Sequence, residues 1–278
     1  MLFSYNYPSN AQRGGTVKFL FVGDIVGSPG LAAVKKIVPH LRQTENLSFV
    51  VANAENVSNG SGLAPKDYRQ LRAAGIDAIT LGDHIYKKLE ISEVMKSAAE
   101  PICKPANFPP SAPGRDHILF SVGGVRVAVL SVLGRTYMRA VDCPFTAVDR
   151  ALAALLGHTQ VIIVDAHAEA TADKYLLLHH LKGRVTAVLG THTHVPTADE
   201  QVVNGTAFVC DVGMTGPYES ILGRRIDRVL PTAISFVPTA FEVATGDVRL
   251  AGAIVDVDPA TGKATAIKRV MVKESEVG

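Results

Sequence analysis

The chain is poor in the residues that build covalent or zinc-stapled scaffolds. It has three cysteines, Cys103, Cys143 and Cys210, an odd number with no Cys-x-x-Cys spacing. That argues against a disulfide framework and against a zinc knuckle, and makes a reducing cytoplasm the expected setting. No apolar run reaches the roughly 20 residues that a membrane span needs. Charge of either sign is scarce in excess: 28 Lys and Arg against 26 Asp and Glu leave a net +2. With no basic stripe, extensive binding to duplex nucleic acid is not expected. A phosphate ligand would have to be drawn in locally, by metal ions or backbone amides. Residues 1–15 lack the basic start and apolar stretch of a signal peptide and are expected to form a disordered arm. Also missing are a Walker A loop, a dinucleotide glycine fingerprint, a Gly-x-Ser-x-Gly elbow and a His-Glu-x-x-His helix.

What is present is a regular alternation. At 47% apolar residues and 278 residues in all, the chain can bury a full core. Strands are expected at Val17–Val22, Phe49–Ala52, Ala78–Leu81, Val161–Val164, Val185–Leu189 and Ala207–Cys210. Helices are expected at Leu31–Leu41, Pro65–Ala74, Lys87–Ala98, Phe145–Leu156 and Ala172–Leu181. Ile118–Val122 and Val125–Val132 flank Gly123-Gly124, a hairpin signal. The stretch from Thr232 to Val272 reads as strands without helices between them. The pattern implies an α/β fold with a mixed sheet or two packed sheets flanked by helices. No repeat or linker divides residues 16–278, so one domain is expected.

The chemistry lies at the strand ends. Five expected strands run into polar, metal-competent residues: Asp24, then Glu55-Asn56, then Asp83-His84, then His167, then His192 and His194. In open α/β sheets, ligands gather outside the carboxyl ends of the strands. A lone Asp after a strand ordinarily closes a turn, and a lone histidine is ordinarily a hydrogen-bonded packing residue. Five such ends together are a different matter. Three carboxylates, one carboxamide and three imidazoles make a mixed oxygen and nitrogen set, suited to Mn, Fe, Zn or Ni more than to Ca or Mg. There are too many for one tetrahedral ion. A pair of transition-metal ions sharing one carboxylate would use them all. In Thr191-His192-Thr193-His194 the alternation places both imidazoles on one side of an extended segment. The Asn59-Gly60-Ser61-Gly62 loop reads as a flexible turn, and His179-His180 as helix surface or packing residues.

At these residues the chain resembles the calcineurin-like metallophosphoesterases, and more closely their bacterial YmdB-type branch. The resemblance is carried by Gly23-Asp24-Ile25-Val26-Gly27, Asn53-Ala54-Glu55-Asn56, Gly82-Asp83-His84, Asp165-Ala166-His167-Ala168-Glu169-Ala170-Thr171 and Gly190-Thr191-His192-Thr193-His194. Pro105-Ala106-Asn107, Leu133-Gly134-Arg135 and the run from Asp211 to Tyr218 extend it. It implies a four-layer α/β/β/α sandwich. It also implies that Asp24, Asn56 and His194 hold one ion, that Asp83, His167 and His192 hold the other, and that Glu55 bridges them. The superfamily places a histidine two residues after its first aspartate, where this chain and its branch have Val26. The family pattern at the third strand end is Gly-Asn-His, and Asp83 departs from it. The extra negative charge would bind the ions more tightly and lower their Lewis acidity.

The expected reaction is metal-assisted hydrolysis of a small phosphodiester, with in-line attack at phosphorus. His84, beside a ligand position, would protonate the leaving oxygen, because an imidazole titrates near neutrality. The resemblance implies 2′,3′- or 3′,5′-cyclic nucleotides as substrates. Arg135 and Tyr218 are candidates for contact with phosphate or base. Two further readings stand beside this one: another dinuclear hydrolase acting on a phosphomonoester or an amide, and a regulatory protein that binds metal or nucleotide with little turnover. A homo-oligomer is compatible with the sequence.

Overall fold

A computed structural model describes residues 16–278, so the expected N-terminal arm over residues 1–15 lies outside the described residues. The elements run β1 (Val17–Val22), α1 (Gly27–Thr44), β2 (Phe49–Asn53), α2 (Pro65–Ala73), β3 (Ala78–Thr80), α3 (Ile91–Met95), β4 (His117–Val122), β5 (Val125–Leu133), α4 (Pro144–Leu155) and β6 (Val161–His167). They continue with α5 (Thr171–Leu181), β7 (Ala187–Thr191), β8 (Gln201–Val203), β9 (Thr206–Val209), β10 (Gly216–Pro217), α6 (Ile226–Ser235), β11 (Val248–Asp258) and β12 (Lys263–Lys273).

Two six-stranded sheets form. In the first, β1, β2 and β3 are parallel neighbours, and β11 joins β1 antiparallel while carrying β12 and the short β10. In the second, β5, β6, β7 and β9 are parallel, with β4 and β8 as antiparallel edges.

Period-two alternation then decides the layers. On β1, Phe19 and Phe21 join Phe49, Val129, Ile163 and Leu189 in a core between the sheets. Leu20 and Val22 point the other way, into a core under α1 and α2 with Val34, Ile37 and Leu71. Leu130 and Val164 of the second sheet pack outward with Val148 of α4 and Leu178 of α5. Three cores between four layers make the α/β/β/α sandwich of the metallophosphoesterase type. Among the described residues no helix is long and apolar enough to cross a membrane.

Two elements differ from expectation. The helix expected over Lys87–Ala98 shrinks to Ile91–Met95, because only Ile91 and Met95 are buried and one turn suffices to seat them. The expected run of strands from Thr232 begins instead inside α6, and strand structure starts only at Val248. Composition rich in Val, Ala, Ile and Thr misled the strand reading, whereas Ile226, Leu230 and Ile234 are spaced four apart, as a helix requires.

Candidate metal centre

The carboxyl ends of the parallel strands of both sheets meet at one rim. The first sheet brings Asp24, Glu55, Asn56, Asp83 and His84, and the second brings His167, His192 and His194. Ligand atoms of Glu55, Asp83, His167 and His192 all lie within 4.8 Å of one another and could hold a metal ion. His167 Nε2 is 3.1 Å from Glu55 Oε1 and 3.1 Å from Asp83 Oδ1. His192 Nδ1 lies 3.1 Å from the same His167 nitrogen and 3.4 Å from Asp83 Oδ1. Asp83 thus faces into the cluster.

A second group adjoins the first through Glu55. Asn56 Nδ2 lies 3.4 Å from Glu55 Oε1 and 3.4 Å from His194 Nε2. His194 Nε2 is 4.0 Å from Asp24 Oδ1. Asp24 Oδ2 accepts the His192 backbone N–H at 3.0 Å, but its buried Oδ1 has no hydrogen-bond partner. An unpaired, fully buried carboxylate oxygen is costly unless a cation completes it.

Electrostatics points the same way. Among the described residues no lysine or arginine pairs with Asp24, Glu55 or Asp83. Burial pushes the Asp24 carboxyl above its ordinary range. Burial also works to raise Glu55 and Asp83, but His167 beside them overrides it and holds both below the usual carboxylate range. In return the carboxylates hold buried His167 well above its ordinary value. Two buried acids and a half-buried third, answered only by imidazoles, form a site that calls for positive charge. The donor set therefore fits divalent transition metals.

The imidazoles are aimed from behind. Asp165, fully buried on β6, accepts Asn53 Nδ2 at 3.0 Å, Thr80 Oγ1 at 2.6 Å and Thr191 Oγ1 at 2.6 Å. Burial pushes its carboxyl up to about 6. Because the Thr191 hydroxyl donates to Asp165, it is left to accept from His167 Nδ1 at 2.8 Å. That turns His167 Nε2 toward the acids, as a ligand histidine requires. His194 Nδ1 donates to the Leu222 carbonyl at 3.1 Å, again leaving Nε2 inward. Gly82 is required by close approach: a Cβ there would lie 2.3 Å from His167 Nε2 and 2.5 Å from Glu55 Oε2.

The extended segment expected for residues 191–194 does not form. The strand ends at Thr191, and His192 and His194 have φ of 93° and 66°. Such angles cost energy in a non-glycine residue and need outside support. Asp211 supplies it, accepting the Thr193 hydroxyl at 2.7 Å and its N–H at 3.2 Å. Asp211 is in turn paired with fully buried Lys174 at 2.7 Å.

The cluster opens into a cleft of about 280 Å³ lined by His84, His192, His194, Glu169, Gly60 and Arg224, among others. The His84 side chain is 35% exposed there, with Nδ1 against Asn56 Oδ1 at 2.8 Å and its backbone N–H on Glu55 Oε2 at 2.8 Å. Arg135 and Tyr218 are not among the lining residues. Arg135 is exposed on the loop after β5, where its N–H donates to Asp173. Tyr218 spends its hydroxyl on the Met214 carbonyl and lies under Arg249.

Sequence reasoning passed over Arg224 and gave Glu169 no role in the site. Arg224 donates to the carbonyls of Asn59, Gly60 and Phe241, which turns the supposedly flexible 59–62 loop into a cleft wall. Glu169 Oε2 lies 3.2 Å from His192 Nε2. Glu169 stands two residues after His167 in the chain, whereas nothing local marks Arg224.

Residues 20–270 match the family described as YmdB-like protein. A Bacillus subtilis relative, a 2′,3′-cyclic-nucleotide 2′-phosphodiesterase, is 39% identical over 94% of this chain and 99% of its own length. The crystal structure of a hypothetical protein from Thermus thermophilus superposes with a TM-score of 0.86 at 38% identity, covering 92% of this chain and 99% of that one. The crystal structure of a Mycoplasma pneumoniae phosphatase gives 0.87 at 29% identity, covering 94% of each. The strand-end residues, the sandwich and these relatives agree, and the chain belongs to the YmdB-like protein family.

Proposed function

We propose that residues 16–278 act as a single metallophosphoesterase domain, a dinuclear metal-dependent phosphodiesterase of the cytoplasm. Its substrates are small phosphodiesters, foremost 2′,3′- or 3′,5′-cyclic nucleotides. The observation that carries the reading is the set of acids, buried Asp24 and Glu55 with half-buried Asp83, with no basic side chain to answer them and one orphaned oxygen on Asp24. The Bacillus relative's name supports the cyclic substrate. The three free thiols agree with a reducing compartment.

In this reading Asp24, Asn56 and His194 hold one ion, Asp83, His167 and His192 hold the other, and Glu55 serves both. The pair, Fe or Mn by donor type with Zn or Ni as alternatives, supplies Lewis acidity and an activated water. Asn56 must then turn its amide. Its Nδ2 faces Glu55 and His194, and a half-turn presents Oδ1 there instead. The same half-turn sets Nδ2 against His84 Nδ1, which leaves the His84 proton on Nε2. His84 lines the cleft, so from there that proton can pass to the leaving oxygen. Arg224, at the cleft wall, takes the phosphate-holding part expected of Arg135. A cleft of about 280 Å³ suits a compact cyclic ester better than duplex nucleic acid.

A substrate panel on metal-loaded protein tests this. Turnover of 2′,3′- and 3′,5′-cyclic nucleotides should exceed that of phosphomonoesters and amides. Nucleotide binding without turnover in a fully loaded sample would favour the regulatory reading instead.

A further inference from the structure

Glu169 stands at the cleft with no part in the ligand set. It lies on the short loop between β6 and α5, two residues after His167, where fully buried Ala168 anchors the loop. Its side chain is 49% exposed, and its Oε2 lies 3.2 Å from His192 Nε2. Among the described residues no lysine or arginine pairs with it. The acids that line the cleft are Glu55 and Glu169, and Arg224 is the one lysine or arginine. Glu55 is 1% exposed and turned toward His167 and the His84 N–H. Glu169 is therefore the acid that an incoming ligand faces.

The charge of the cleft is finely balanced. Two divalent ions would bring four positive charges against the three carboxylates of Asp24, Glu55 and Asp83, and so leave one. Arg224 adds one more, and Glu169 takes one away. A phosphodiester carries a single negative charge. A phosphomonoester carries nearly two at neutral pH, because its second proton leaves at a pH of about 6. A single imidazole, that of His192, separates Glu169 from the ligand atoms of Asp83 and His167. Across so short a distance near a protein surface, like charges repel several times more strongly than in bulk water. Discrimination by repulsion needs no contact with the favoured ligand.

We propose that Glu169 is a specificity-determining residue, which turns away dianionic phosphomonoesters and leaves monoanionic phosphodiesters as the substrate class of the cleft. The proposal rests on the dinuclear reading for its positive charge. The repulsion acts on binding, whether or not turnover follows.

Bis(p-nitrophenyl) phosphate and p-nitrophenyl phosphate share a leaving group and differ by one charge, so they test the proposal on metal-loaded protein. Glu169→Gln should raise kcat/KM for the monoester relative to the diester by about tenfold, and Glu169→Asp should keep the parent's ratio. Equilibrium binding gives the second readout, at metal contents matched by elemental analysis. Glu169→Gln should shift the affinity ratio of 3′-AMP to 2′,3′-cyclic AMP by roughly tenfold in favour of 3′-AMP, and high salt should shrink that shift. Parent ratios in Glu169→Gln by both measures would overturn the proposal. So would equal losses for both esters together with lost metal, which would make Glu169 a support for His192 instead. A parent that turns over neither ester, yet shows the charge selection in binding, would end the phosphodiesterase reading and uphold this one.

Discussion

Two groups of buried charge lie side by side in this protein, and they are built on opposite plans. Lys174 and Asp211 are both inaccessible and form one closed unit. Lys174 Nζ meets Asp211 Oδ2 at 2.7 Å, the Thr193 hydroxyl shares that oxygen, and the Gly213 N–H fills Oδ1 at 2.8 Å. Asp24, Glu55 and Asp83 form an open unit, in which acids outnumber any cation and one oxygen has no partner. A closed pair satisfies itself, so its work is to hold the strained His192–His194 turn. An open set of acids is stable only with charge brought from outside. Burial is common to both, and the presence or absence of an internal countercharge separates scaffold from site.

The contrast can be broken at its strongest point with Glu55→Gln. A carboxylate between both halves of the open unit serves two ions, so this variant should lose most of its metal and about 10⁴-fold or more of its turnover. Elemental analysis and kcat measure both, and full metal content with full activity would end the bridging assignment. His84→Ala comes next. It should lower kcat by roughly 10²–10⁴-fold for a substrate with a poor leaving group while leaving metal content alone. The deficit should shrink for a p-nitrophenyl ester, and equal deficits would remove His84 from proton transfer. The closed unit is tested by Lys174→Met, which strands a buried carboxylate and should cost about 3–5 kcal/mol of stability. Denaturant titration reads that loss, and Lys174→Met with Asp211→Asn should recover much of it. No loss in the single variant would mean the pair carries nothing. Asp83→Asn is the gentlest change. Removing one negative charge should raise activity at neutral pH by a few-fold, shift the rise of the pH–rate profile to lower pH, and make metal easier to strip with chelator. Since Asp83 points inward, unchanged profiles and retention would place it outside the ligand set.

The layers of the fold were legible because alternation is a local signal. Phe19-Leu20-Phe21-Val22 is apolar on both sides, as a strand between two covered faces must be. The failures are equally local in cause. Residues 87–98 are compatible with a helix, but only two of their side chains find a core. The composition of 232–272 resembles strand, yet its first residues continue a helix that has no buried side chain among the described residues. Arg135 and Tyr218, candidates within the segments that carry the resemblance, stand outside the residues that line the cleft, and residue type does not say which way a loop turns. Arg224 carries no motif and reaches the cleft only because Asn59 and Gly60 are brought under it.

By itself the sequence determined that polar, metal-competent residues stand where apolar runs stop, since a strand that ends at a rim must end in groups that tolerate water or a ligand. It also carried the one departure, Asp83. Only the tertiary structure decided how those residues combine. The acids of the expected ligand set come from the first sheet and its three imidazoles from the second, so no stretch of chain contains the site. Packing of Phe19, Phe21 and Phe49 against Val129, Ile163 and Leu189 brings the two rims together. Asp165 then locks them, with bonds to β2, β3 and β7. The long-range reason is the burial of apolar surface between the sheets, which is non-directional and leaves no trace in local residue order.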